Sequence, residues 1–280
     1  MTHHLLKGKR GLIFGALDEK SLAWKVALRA KKEGADITLT NTPVAIRMGK
    51  INELAKECDA DVIPADVTSL DDIQTLFNKV TGKGNIDFIL HSVGMSPNVR
   101  KGYPYTELNY EYFLKTLDIS ALSLHKLLQT AYRMDAINEW GSVVTLTYIS
   151  AQRTMPGYGD MTEAKAMLES IVRNFGYYYG KAKRVRINSI SQSPTKTTAG
   201  TGISGFDKIF EYAQRMAPLG NASADACADY CITLFSDLTR MVTMQNLFHD
   251  GGFSTTLASE EILNNLEELS FPDVGNFRNG

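Results

Sequence analysis

Seven short apolar runs recur along this chain, and segments with helical spacing separate them. The runs are Gly11–Gly15 (GLIFG), Asp36–Thr40 (DITLT), Asp61–Pro64 (DVIP), Ile86–Ser92 (IDFILHS), Ser142–Tyr148 (SVVTLTY), Arg184–Ile190 (RVRINSI) and Thr243–His249 (TMQNLFH). Helical spacing of apolar residues is found over 21–32, 44–57, 70–80, 110–134, 161–180, 205–216 and 223–236. Strands joined through helices lie parallel, and a sheet covered on both faces needs apolar runs of this kind. Right-handed crossovers then leave one architecture. It is an α/β, single-domain, Rossmann-type, doubly wound parallel sheet of about seven strands flanked by helices. The domain is expected to span 1–258, followed by a C-terminal tail over 259–280 whose ending is loose. No internal repeat or linker divides the chain.

Composition narrows the partners. A formal net charge of −1, with no long basic run, gives nucleic acid nothing to bind. No apolar run approaches the ~20 residues that span a bilayer, and the N-terminus MTHHLLKGKRGLIFG lacks the apolar segment of a secretory leader. The three cysteines are too few for a disulfide scaffold, so a reducing, cytoplasmic compartment is expected. Cys227 and Cys231 lie four apart on a helix, but no His or acidic residue completes a zinc spacing. They read as small buried hydrophobes, and no metal site is expected.

In such a sheet, ligands bind beyond the carboxyl ends of the strands. The first strand ends in Gly15, and Ser21-Leu22-Ala23 opens a helix whose free N–H groups and dipole suit a pyrophosphate. The loop has a single glycine rather than GxGxxG, and an ordinary turn capped by Ser21 would also explain it. After the second strand stand Asn41 and Thr42, with no acid for a ribose 2′-hydroxyl; Arg47 and Lys50 further on face either a 2′-phosphate or solvent. Asp66-Val67 follows the third strand, as an adenine contact or a helix-capping turn. Ser92-Val93-Gly94 follows the fourth, where a glycine permits close backbone approach. The sixth leads into Ser193-Pro194-Thr195, with Thr197 and Thr198 beyond.

The fifth strand leads into the chemistry. TLTYISAQRTMPGYGDMTEAK, 145–165, presents Tyr148, Tyr158 and Lys165. A phenol near an ammonium can deliver a proton or a hydrogen bond to oxygen, and the ammonium is expected to favour the phenolate. Two packing tyrosines and a surface lysine would account for these residues alone. Asp160 and Glu163 form a candidate capping box, starting a helix near Met161. Tyr158 then sits in the preceding turn. Lys165 lies seven residues on, about 10.5 Å of helical rise if both were helical.

The ordered set Gly15-x5-Ser21-Leu22-Ala23, Asp66-Val67, Ser92-Val93-Gly94, Tyr148, Tyr158-x6-Lys165, Pro194 and Asp250-Gly251-Gly252-Phe253-Ser254 resembles the short-chain dehydrogenase/reductase superfamily. More narrowly it resembles the bacterial enoyl-acyl-carrier-protein reductases of type II fatty-acid synthesis. Ordinary members of the superfamily carry Tyr-x3-Lys, whereas the residue four beyond Tyr158 is Thr162. The x6 spacing, with a second tyrosine ten residues earlier, is that of the enoyl reductases.

The resemblance implies hydride transfer from NADH to the β-carbon of a trans-2-enoyl thioester carried by acyl carrier protein or coenzyme A; NADPH is not excluded. It implies that Tyr158 hydrogen-bonds the enolate oxygen, that Lys165 holds the nicotinamide ribose, and that Tyr148 assists proton delivery or shapes the acyl channel. Cofactor contacts would come from Gly15, Ser21, Leu22, Thr42, Asp66, Val67, Ser92, Val93, Gly94, Lys165, Pro194, Thr195 and Thr197. Substrate contacts would come from Met95, Tyr148, Tyr158, Ile203 and Phe206. Thr195–Met216 resembles a mobile substrate-binding segment, with Gly200, Gly202 and Gly205 as hinges, and a homotetramer is implied. Thr145, where ordinary members place a serine, is read as structural.

The chain departs from the pattern at Phe14, Ser193, Thr195 and Met95, and Ser204, Asp207 and Lys208 make a weakly basic carrier-docking face. A carbonyl reductase or alcohol dehydrogenase of the superfamily, or a cofactor-binding protein without turnover, are the alternative readings.

Overall fold

The computed structural model describes residues 2–198, 200–201 and 205–264. In chain order the elements are β1 (Arg10–Phe14), α1 (Leu22–Lys32), β2 (Asp36–Thr40), α2 (Pro43–Met48), α3 (Ile51–Cys58), β3 (Asp61–Val62), α4 (Leu70–Thr81), β4 (Ile86–His91), α5 (Pro97–Lys101) and α6 (Tyr110–Leu117). They continue with α7 (Ser123–Arg133), β5 (Ile137–Thr147), α8 (Met161–Lys183), β6 (Arg186–Gln192), α9 (Phe206–Met216), α10 (Ala224–Phe235), β7 (Asn246–His249) and α11 (Glu260–Asn264). The seven strands form one parallel sheet in the order β3-β2-β1-β4-β5-β6-β7. The order reverses between β1 and β4, which is the expected doubly wound fold and puts the ligand crevice at that switch.

Strand periodicity separates two cores. Ile13, Phe88, Leu90 and Val144 point to the layer of α1, α3 and α10. Their neighbours Leu12, Phe14, Ile89 and Val143 point to the layer of α4, α7 and α8. Each of these side chains is at most 1% exposed, worth about 1.5–3 kcal/mol of transfer free energy apiece. The Phe88 and Phe235 rings stack at 4.5 Å across the first layer.

Several boundaries differ from expectation for local reasons. The single helix expected over 44–57 is two, because the chain at Gly49 passes so close to the loop after β1 that a Cβ would sit 2.6 Å from the Leu17 carbonyl oxygen. The helix expected over 110–134 contains a π-type turn, Asp118–Leu122, between α6 and α7. β3 is only two residues long. β5 starts early, at Ile137, with a register shift opposite Ile86/Phe88 and Trp140 in the left-handed region (φ 61°). β6 starts at Arg186, since Arg184 itself (φ 55°) terminates α8. The buried Arg186 guanidinium donates to the carbonyls of Leu234, Ser236 and Thr239, neutralising the carboxyl end of α10.

The start of the tail packs. Ile262 of α11 joins a cluster of Tyr148, Ile149, Ala213, Met216, Ala217 and Phe253. Residues 265–280, on which the expected loose ending falls, lie outside the described residues.

Candidate active site

The carboxyl ends of the strands surround a cleft of about 910 Å³. Its floor is set where two loops touch. Gly15, at φ +94°, lies so near the loop after β4 that a Cβ would stand 1.9 Å from the Ser92 carbonyl oxygen. Gly15→Ala is therefore expected to lower Tm, measured by thermal unfolding, because both contact and φ are wrong for alanine.

Ser21 occupies the N-cap position of α1, but its hydroxyl does not cap the helix. It accepts from the amides of Leu17 and Asp18 (3.0 Å each) and donates to the Asp18 carbonyl (2.6 Å), closing the loop on itself. Ser21 therefore leaves the amino end of α1 without a side-chain cap, which is the arrangement that accepts a pyrophosphate.

At the end of β2, Asn41 donates to the Ala16 carbonyl (3.0 Å), and the Thr42 hydroxyl accepts from Ala45 N–H (3.2 Å), capping α2. Lys50 is paired with Glu19 at 2.8 Å, and neither Lys50 nor Arg47 is among the residues lining the cleft. Asp66 Oδ1 is occupied by the backbone and hydroxyl of Thr68 (2.9 and 2.7 Å), the turn reading of that residue. The same residue still lines the cleft beside Val67.

Lys165 projects from α8 into the interior, 7% exposed, and its ammonium donates to the Leu146 carbonyl at 2.9 Å. Burial pushes its pKa down to about 8, with Glu169, one helical turn on, opposing the shift. The Glu169 carboxylate is itself held by Thr147, Gln152 and Asn246. Tyr148 and Tyr158 stand with ring centroids 4.9 Å apart at 49°. Burial raises both phenols above their ordinary value, and for Tyr148 the neighbouring Tyr158 and Asp250 add to it. The expectation that the lysine favours a phenolate is overturned. Desolvation dominates, and both phenols are neutral donors at physiological pH.

Tyr158 lies in the turn before α8 as expected, donating its amide to Met155 and accepting from Met161. The capping box does not form. Asp160 is fully buried and accepts instead from Ser96, Asn98 and Thr116, while Glu163 bonds the Tyr105 hydroxyl. Thr145 is buried against His91, with which it shares contacts of 3.0 and 3.2 Å to the ring and the carbonyl, a structural position. Burial pushes His91 down to about 3, so it is uncharged there.

Ser193 has a local reason where the family pattern has glycine: its hydroxyl accepts from Ala222 N–H at 2.8 Å and ties two loops together. Thr195 donates to the Ser193 carbonyl, Thr197 accepts from Gly200, and Thr198 reaches across to Asp18 at 2.6 Å. Phe14 packs under the floor, 1% exposed.

The cleft thus gathers Gly15, Ser21, Leu22, Thr42, Asp66, Val67, Ser92, Val93, Gly94, Met95, Tyr148, Tyr158, Lys165, Pro194, Thr195, Thr197 and Phe206. Ile203, with Gly202 and Ser204, lies outside the described residues. Gln192, at the end of the sixth strand, also lines the cleft, and sequence reasoning missed Leu146 and Thr147 on the wall, although the strand-end rule applies to them. It also missed Lys115, Asp118 and Ile119, which reach the cleft through the π-type turn.

Two observations show the cleft suits a polar ligand. The hydroxyls of Thr40 and Tyr148, both of which line it, are buried without a hydrogen-bond partner among the described residues. The uncapped helix and the glycine contact add a backbone cradle. A seven-stranded parallel sheet with such a cleft at its switch point is of the short-chain dehydrogenase/reductase class.

The family described as enoyl-(acyl carrier protein) reductase matches residues 15–254. The enoyl-acyl-carrier-protein reductase (NADH) FabI of Rickettsia typhi is 35% identical over 258 residues, covering 91% of this chain and 97% of that protein. Among solved structures, the FabI–NADH complex from Alistipes finegoldii is 59% identical with a TM-score of 0.93, covering 98% of both chains. The enoyl-acyl-carrier-protein reductase (NADH) of Aquifex aeolicus is 33% identical with a TM-score of 0.84, covering 91% and 99%. The chain belongs to the enoyl-acyl-carrier-protein reductase family.

Proposed function

We propose that this chain reduces the trans-2 double bond of an enoyl thioester on acyl carrier protein, using NADH, in fatty-acid synthesis. The observation that carries the reading is the joint placement of Tyr148, Tyr158 and Lys165 on the wall of one nucleotide-shaped cleft, in a family of that activity. NADH, when bound, supplies the hydride that is added to the β-carbon.

The chain's own residues do the rest. The amino end of α1, Gly15 and the Ser92-Val93-Gly94 backbone hold the dinucleotide. Lys165, charged below pH 8, hydrogen-bonds the nicotinamide ribose and adds positive charge beside the reaction. Tyr158, a neutral phenol, donates a hydrogen bond to the thioester oxygen as it becomes an enolate, and a proton taken up from solvent at the α-carbon collapses the enolate and completes the reduction. Tyr148 forms the opposing wall, and Met95 and Phe206 line the acyl path. With Lys50 held by Glu19, and neither Lys50 nor Arg47 among the described residues lining the cleft, NADH is favoured over NADPH.

Coarser features agree with this setting. None of the described helices is long and apolar enough to cross a membrane. The three free, buried cysteines suit a cytoplasmic enzyme. Exposed Tyr177, Tyr178, Met241 and Phe248 offer apolar surface for a homotetramer. The catalytic unit is the domain over 1–258.

The test is oxidation of NADH in the presence of a crotonyl thioester, with NADPH alongside. Turnover with NADH and at least tenfold lower kcat/KM with NADPH are expected. Folded protein with no enoyl-dependent oxidation of either cofactor would remove the reading.

A further inference from the structure

One buried carboxylate behind this cleft, two residues beyond Tyr158, has no part in the chemistry just described. Asp160 is 0% exposed, and no described cation lies within ion-pair distance of it. Its donors come from two other parts of the fold: Ser96 Oγ at 2.5 Å, Asn98 Nδ2 at 2.7 Å and Thr116 Oγ1 at 2.9 Å, whose one proton is shared with the Tyr112 carbonyl at 2.8 Å. Ser96 and Asn98 belong to the loop and helix that follow Met95, and Thr116 belongs to α6. Asn98 also exchanges two hydrogen bonds with the backbone of Asn109, fixing the start of α6.

What Asp160 anchors is otherwise loosely specified. Tyr158 stands between Gly157 (φ +84°) and Gly159 (φ +51°), two residues of high backbone freedom. The turn is held by backbone bonds of 3.2 Å (Tyr158 to Met155), 3.3 Å (Met161 to Tyr158) and 3.2 Å (Thr162 to Gly159), near the long limit. Two residues later the chain meets the three-donor anchor. An apolar side chain would fill this space without the cost of desolvating a carboxylate, so stability alone is a poor reason for an acid here.

We propose that Asp160 is a positioning residue: by binding Ser96, Asn98 and Thr116 it fixes the turn that carries Tyr158 relative to the Met95 loop and α6. This rests on the reading of Tyr158 as the donor to the thioester oxygen. Asp160 touches neither substrate nor cofactor and acts through Tyr158. A displacement of about 1 Å at a reacting group costs on the order of 10²-fold in rate.

The experiment compares Asp160→Asn, Tyr158→Phe and their combination, each checked for fold by near-UV circular dichroism. In Asp160→Asn an amide faces the amide of Asn98. The kcat for a crotonyl thioester is expected to fall about 10–100-fold, while Kd for NADH changes less than about threefold. In the Tyr158→Phe background Asp160→Asn should lower kcat no further, the non-additivity of residues acting as one unit.

Unchanged kcat in folded Asp160→Asn overturns the inference. So does a fall in kcat matched by an equal loss of NADH affinity, the mark of a merely structural role. An additive further loss in the double variant overturns it too. Full activity in Tyr158→Phe alone would instead overturn the donor role of Tyr158, a separate failure.

Discussion

Replacing Tyr158 by phenylalanine is expected to lower kcat by ~10²–10³, the usual loss on removing one donor to a developing oxyanion. Affinity for NADH should change less than about threefold, because the cofactor contacts of the proposed site lie elsewhere on the cleft. The ring survives the substitution, so its packing against Tyr148 at 4.9 Å survives as well. Burial holds the phenol of Tyr158 above its ordinary pKa, so the donor form persists through neutral pH and kcat should show no limb there from this group. Stopped-flow turnover and equilibrium NADH titration of the variant check both halves. A variant with wild-type kcat would remove Tyr158 from the chemistry.

The second large effect concerns Lys165, and its two parts have opposite signs. Burial depresses its pKa to about 8 from near 10.5 in the unfolded chain. The unfolded state therefore binds more protons between these values, and the lysine's contribution to stability rises with pH across about 8 to 10.5. Below pH 8 the folded protein carries a buried ammonium at a cost. Lys165→Met is therefore expected to raise the Tm of the cofactor-free protein at pH 7. Cofactor binding goes the other way. Loss of a charge-assisted hydrogen bond of roughly 1.5–3 kcal/mol weakens NADH by about 10–100-fold. In the parent protein, NADH affinity should fall as pH rises through about 8, with proton uptake on binding. In Lys165→Met that dependence should vanish. Calorimetry in buffers of different ionisation enthalpy reads the proton directly, and a retained limb near pH 8 in the variant would assign it to another group.

The parts of the fold legible in sequence were those set by local pattern. All seven strands were located. In the five inner ones burial on both faces leaves little choice of residue, while the edge strands β3 and β7, with no buried residue, were found from the alternation of strands and helices. Tyr158, Lys165 and the strand-end residues followed, since a strand end can be found by counting. Other features depended on partners distant in the chain. Asp160 and Glu163 have the spacing of a capping box, yet Asp160 finds three donors 44 to 64 residues away and Glu163 finds Tyr105. Gly49 broke a helix because Leu17 lies beneath it. The shift of Tyr158 away from phenolate was likewise beyond sequence, because the extent of desolvation depends on what closes over the ring.

The π-type turn at Asp118–Leu122 makes this protein unequally tolerant of one kind of genetic change at neighbouring positions. One residue more than an α-helical turn requires is accommodated there. Deleting a single codon within 118–122 would remove that residue and let the segment relax to an uninterrupted α-helix, with α6 and α7 keeping nearly their present phase. A one-codon deletion in the regular first turns of α7 would instead turn the preceding chain by ~100° relative to the chain after it. Thr116 would then leave Asp160, and Lys115 would leave the cleft. The same lesion is therefore expected to be mild inside the wide turn and to disconnect two walls of the cleft just beyond it.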